Sequence, residues 1–212
     1  VWRRRDDATT LRLVTRKQAL LTLGGVAVVV AGVPVGWTLL TSLRFPSDRT
    51  PEGAYLRLGL ALNKGRLADC FPYLETAAQH ALYTIFDYRR RSLALVRASF
   101  SDPERQRWID AWQAEGDAPD PPELWAVIAA RERWDEQLRR DLSGIGRVEV
   151  VGDRATVETV RGTRYAFRRA DNGIWGLTLF TAELVALKDR AARDFAVTER
   201  AAQDYDRAKA RP

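Results

Sequence analysis

The residue types able to carry proton chemistry are few, and His80 is the only histidine. Asp87 comes seven residues later, about two helical turns on, with Tyr83 and Tyr88 close by. A His/Asp pair of that kind can exchange protons with a bound substrate. A single histidine beside a helix face also needs no more than one hydrogen bond to be satisfied, which is the commoner circumstance. No catalytic residue is therefore assigned, and His80, Tyr83 and Asp87 stand as pocket candidates. Cys70 is the sole cysteine, which excludes an intrachain disulfide and a cysteine metal cluster; its expected place is buried on a helix. One histidine and scattered carboxylates give no metal-ligand spacing, so no metal and no cofactor is expected. No glycine-rich phosphate loop follows a strand, and no Gly-x-Ser-x-Gly elbow is present.

Contact chemistry is better represented. Arg89-Arg90-Arg91 is a tight basic cluster suited to lipid phosphates or an acidic partner, although a solvated helix face is its commoner meaning. Trp108 and Trp112 lie four apart on one helix face, as core or as a protein-contact surface, with core packing favoured.

The elements that must position these residues are read from periodicity and punctuation. Thr50-Pro51 caps and opens a helix that Lys64-Gly65 ends. A short helix is expected over 66–70, with Phe71-Pro72 breaking the chain before a long helix over about 73–98. That long helix carries Ala78, Ala81, Leu82, Ile85, Phe86, Leu93 and Val96 at helical spacing. Ser101-Asp102-Pro103-Glu104 caps the next helix, which runs to about 115. Beyond the Gly/Pro-rich loop 116–122 a single helix fills 122–142, with Trp125, Ile128, Trp134 and Leu138 inward. The character then changes to β-prone runs over 147–151, 154–160, 163–169 and 174–179, separated by Gly152, Gly162 and Gly173 turns. Alternation with such turns predicts an antiparallel meander of tight hairpins. Thr181 caps a last helix to about 208, with mixed charges and a drier stripe of Leu184, Leu187, Ala191, Phe195 and Ala202. The expected class is α+β: helices packed on a four-stranded antiparallel meander, closed by a long C-terminal helix.

Charge is uneven along the chain. Residues 1–17 hold six basic groups against Asp6 and Asp7, a surplus of +4, so +2 remains for everything else out of the net +6. The basicity belongs to a tail, and nucleic acid is not an expected partner. Residues 19–43 are 25 residues without a charge. In hydrocarbon such a run must satisfy its backbone internally as a helix, and it exceeds the ~30 Å apolar thickness. Arg16 and Lys17 precede it, so the positive-inside bias retains the tail and exports the C-terminal remainder of the chain. Gly24, Gly25 and Gly32 can seat a neighbouring helix, Pro34 can kink the span, and Trp37 suits an interface. A signal peptide would need a shorter apolar core and a small-x-small exit, which 38–43 does not offer. The expected organisation is a basic cytoplasmic tail (1–17), a transmembrane helix (18–43), a linker (44–50), an extracytoplasmic α+β domain (51–180) and a C-terminal amphipathic helix (181–212). The expected setting is a bacterial inner membrane, crossed once.

Three stretches carry a resemblance. Residues 50–70, through Leu60-Ala61-Leu62-Asn63-Lys64-Gly65, resemble the opening helices of nuclear-transport-factor-2-like (cystatin-like) domains. Residues 148–157 resemble the first hairpin of their sheet, and Asn172-Gly173-Ile174-Trp175-Gly176-Leu177 their closing strand. The resemblance implies a curved sheet wrapped around a long helix, forming a cone with a pocket. Tyr165, Phe167 and Trp175 then join His80, Tyr83 and Asp87 as pocket candidates. Such folds host dehydratases and isomerases, ligand sensors and assembly parts alike, so activity does not follow from the fold. The anchor and the lack of a catalytic constellation favour a binding or scaffold module. Its expected partners are membrane lipid and other envelope proteins or a second copy; a ligand sensor or a pocket enzyme using His80 and Asp87 is the alternative.

Overall fold

Thr50 opens the first helix as its sequence dictates: its extended backbone and its hydroxyl, which accepts from the Gly53 N–H at 3.1 Å, cap α1 (Pro51–Asn63). The computed structural model describes residues 46–210. The basic tail and the expected span, with Gly24, Gly25, Gly32, Pro34 and Trp37, lie outside the described residues. No described helix is long and apolar enough to cross a membrane. From Pro46 onward the chain clusters as one compact unit.

After α1 the short helix expected over 66–70 forms, but the break expected at Phe71-Pro72 does not. The chain runs as a 3-10 helix through Leu67–Tyr73, Pro72 included. At three residues per turn Leu67, Cys70 and Tyr73 eclipse one another and all reach the core. The long helix α2 (Thr76–Ser99) buries Ala78, Ala81, Leu82, Ile85, Leu93 and Val96, as the periodicity requires. Next, α3 (Glu104–Gly116) begins without the expected side-chain cap. Asp102 instead accepts from Arg105 Nη2 at 2.7 Å.

The single helix expected over 122–142 is two. Asp120 caps α4 (Pro121–Arg131) through the Glu123 N–H, at 2.8 Å. Arg133 then takes a left-handed backbone (φ 59°) and α5 (Trp134–Asp141) starts anew. The reason is angular. Nine positions at 3.6 residues per turn put Trp125 and Trp134 on opposite sides of a continuous helix. The break brings their rings to 5.8 Å and stacks Trp134 on Phe180 at 4.6 Å.

Four strands come next in a simple antiparallel meander: β1 (Ile145–Val151), β2 (Arg154–Thr159), β3 (Arg164–Arg169) and β4 (Trp175–Leu177), in that spatial order. Alternation sends Ala155, Val157, Tyr165 and Phe167 towards the helices and Thr156, Glu158, Arg164 and Ala166 to the other face. Gly146, left without a partner between Ile145 and Arg147, is the extra residue of a bulge near the start of β1. The last helix, α6 (Thr181–Lys209), packs along α2 and buries Leu184, Ala191, Phe195, Thr198 and Ala202. Its N-cap is Phe180, not the expected Thr181. The main core lies between α1, α2, α4 and the sheet, so the stretch 84–142 shares in the same fold. A second, smaller cluster of Val96, Phe100, Trp112 and Ala202 joins α2, α3 and α6.

Candidate protein-contact surfaces

The six pocket candidates divide into an exposed trio and a core trio. His80 and Asp87 are exposed on α2, and Asp87 accepts from Arg91 Nη1 at 3.2 Å. Tyr83 is exposed too, with its ring edge-on to Phe71. Tyr165, Phe167 and Trp175 are buried under the sheet. Trp175 donates its Nε1–H to the Arg49 carbonyl at 3.1 Å. The Tyr165 hydroxyl is buried with no hydrogen-bond partner among the described residues. Burial, joined by the Tyr55 and Asp141 side chains, pushes its pKa up to about 12. A group so held is protonated at neutral pH and poorly placed to act as a base.

The arginine run is not one patch. Successive helical residues are about 100° apart, so three neighbours cannot share a face. Arg89 continues the buried stripe of Leu82 and Ile85 and is itself buried. Its Nε donates to Glu115 Oε2 at 2.7 Å and its Nη1 to Asp194 Oδ2 at 2.8 Å, and its guanidinium sits over the Trp112 ring at 5.0 Å. Arg131 pairs with the other oxygen of Glu115. This one cation ties α2, α3 and α6 together. Arg91 pairs with Asp87 and lies over Phe195 at 4.2 Å, while Arg90 remains exposed. Trp112 is core, and Trp108, half-buried, packs on it with ring centroids 4.5 Å apart.

Glu75, which sequence reasoning passed over, is a second buried charge. Arg168 Nη1 donates to one of its oxygens and Thr181 Oγ1 to the other, both at 2.7 Å. It occupies the N-cap position of α2 without a side-chain capping bond, and its carboxylate lies near the positive end of the helix dipole. A cleft of ≈ 440 Å³ opens beside it, lined by Arg154, Thr156, Ala166, Phe167 and Thr178. Each carboxylate oxygen is engaged within the fold, so Glu75 joins α2, β3 and α6.

The two edges of the sheet differ. At β4 the edge is covered: Leu74 bridges Leu177, the Glu75 N–H donates to the Leu177 carbonyl at 3.0 Å, and the Trp175 N–H donates to the Asp48 carbonyl. At β1 no further strand pairs among the described residues. Val150 (53% exposed), Val151 (79%) and Val160 (69%) lie on or beside that strand. An open edge presents unpaired backbone donors and acceptors, a template for another chain. Arg147 and Glu149 pair with each other at 2.7 Å on its outer face.

No family model matches the chain, and no curated protein or solved structure matches it.

Proposed function

We propose that this chain is a membrane-anchored extracytoplasmic binding or scaffold module, a subunit of an envelope protein assembly. Support for the anchor comes from the 25 uncharged residues of 19–43 and the basic groups before them. The observation that carries the binding role is the asymmetry of the sheet, whose β4 edge is covered while β1, among the described residues, stands open beside exposed valines. Strand addition at such an edge gives affinity through main-chain hydrogen bonds, with side chains of alternating direction selecting the partner. The order of opening helices, meander and closing strand supports the nuclear-transport-factor-2-like resemblance as part of the same reading. The pocket-enzyme alternative is less well supported, because His80 and Asp87 sit on the exposed side of α2 with Asp87 already engaged by Arg91.

The test is purification of the full chain from solubilised membranes. The expected result is retention in membranes through alkaline washing, then recovery in an assembly larger than one chain. Release of the intact chain by the alkaline wash, or a lone monomer at every concentration, overturns the proposal. His80→Ala is expected to leave the assembly intact.

A further inference from the structure

The open edge is specific enough to name its partner, and this inference rests on the binding-module reading. Opposite residues in an antiparallel pair point to the same face of the sheet. A symmetric pairing of β1 with itself therefore centres on a residue of the strand, and the choice of residue decides which charges meet. Centred on Arg147, the pairing sets Arg147 against its own copy; centred on Glu149, it sets two glutamates together. Like charges directly opposite are destabilising. Centred on Val148, Arg147 of each copy faces Glu149 of the other, twice over. In the single chain those two groups already pair at 2.7 Å, on side chains 70% and 56% exposed. The pairing gathers them into a cluster of four alternating charges.

The nearest exposed valine agrees with that register. Val150 falls opposite Gly146, which has no side chain to obstruct it. Gly146 is the extra residue of the bulge, so beyond it Ile145 turns to the helix side with Thr159, while Val151 keeps the outer face with Arg154 and is left at the margin of the pair. Val150, 53% exposed in the single chain, is thus covered by the partner strand. We propose that β1 pairs antiparallel, through a two-fold axis at Val148, with β1 of a second copy of this chain, so that two four-stranded sheets become one. The charges that discourage an arbitrary strand at this edge accommodate this one register. A strand pair alone falls short of the ~1,000 Å² of a durable interface, so association is weak in dilute solution. Confinement of both copies to one membrane plane raises their effective concentration.

The full chain in micelles, sedimented over a range of concentrations, tests this. Arg147→Glu alone and Glu149→Arg alone are each expected to weaken self-association at least tenfold, with unchanged circular dichroism. Mixed together, the two variants are expected to associate with one another, because every cross-strand contact is then Glu against Arg. The double variant R147E/E149R is expected to self-associate as the native chain does. Native-like association of either single variant, or no gain on mixing, overturns the proposed register. A native chain that stays monomeric yet co-purifies with other envelope proteins overturns self-pairing and leaves the binding-module reading standing. A native chain that is monomeric and alone overturns both.

Discussion

Replacing Arg89 by Met keeps most of the volume and apolar stem while removing the charge. Its loss strips Glu115 of one of two cationic partners in a buried setting and strips Asp194 of the partner across α6. Breaking a buried ion pair by removing one member costs roughly 3–5 kcal/mol, because the charge left behind is desolvated without compensation. Two features of the site favour the lower end. Glu115 keeps Arg131, and Asp194, with about a third of its side chain exposed (32%), regains water. The contact over Trp112 adds roughly 0.5–2 kcal/mol on an aromatic face. The expected loss is about 4 kcal/mol, a fall of nearly 1,000-fold in the folded-to-unfolded ratio. Urea unfolding of the full chain in micelles, read by tryptophan fluorescence, measures it directly, since Trp112 reports from the site. Arg90→Met, one position along and exposed, is expected to stay within about 0.5 kcal/mol of the native chain. Adding Glu115→Leu to Arg89→Met is expected to recover part of the loss, because the stranded carboxylate goes with it. A change below about 1 kcal/mol for Arg89→Met, or a double variant no better than the single one, refutes the reasoning.

Three further outcomes are expected. Gly176→Ala places a Cβ 2.5 Å from the Leu74 carbonyl oxygen and 2.7 Å from the Glu75 backbone nitrogen. Neither is a flexible side-chain end, so a loss of about 1–3 kcal/mol is expected, with faster hydrogen exchange at the Glu75 amide as the β4 edge opens. Tyr165→Phe deletes a buried hydroxyl that makes no hydrogen bond among the described residues and is expected to leave the thermal midpoint unchanged or higher; a clear fall would show that the hydroxyl is satisfied. The Asp117 carboxyl, held by hydrogen bonds from the Arg97 guanidinium at 2.7 and 2.8 Å, titrates below the ordinary aspartate value of about 3.9. Its folded pKa being the lower one, its contribution to stability is present above the unfolded value and lost as pH falls through the folded one. Arg97→Ala is expected to return the carboxyl signal to the ordinary range in an NMR titration.

Local chemistry was legible wherever the physics is local. Apolar spacing of three and four identified α1, α2 and α6, because a helix face is defined by neighbours within two turns. Alternation and the glycine turns at 152, 162 and 173 identified four antiparallel strands in order, since short hairpins leave little freedom of pairing. The α+β architecture with a long C-terminal helix was implied by those elements. The fate of polar residues and the direction of each element escaped. Arg89 stands in an arginine run that reads as a solvated face. Its burial depends on Glu115 and Asp194, 26 and 105 residues away, and no local pattern reports them. Glu75 is hidden for the same reason, its partners Arg168 and Thr181 coming from β3 and the start of α6. The turn at Arg133 is set by the need of Trp134 to reach Phe180, a contact made only when the last helix is in place. The division of the sheet into a covered edge and an open one also came with assembly, because the segment over β4 arrives from residues 48–75. Sequence periodicity determines which residues share a face; whether that face meets water or a distant partner is decided when the chain closes on itself.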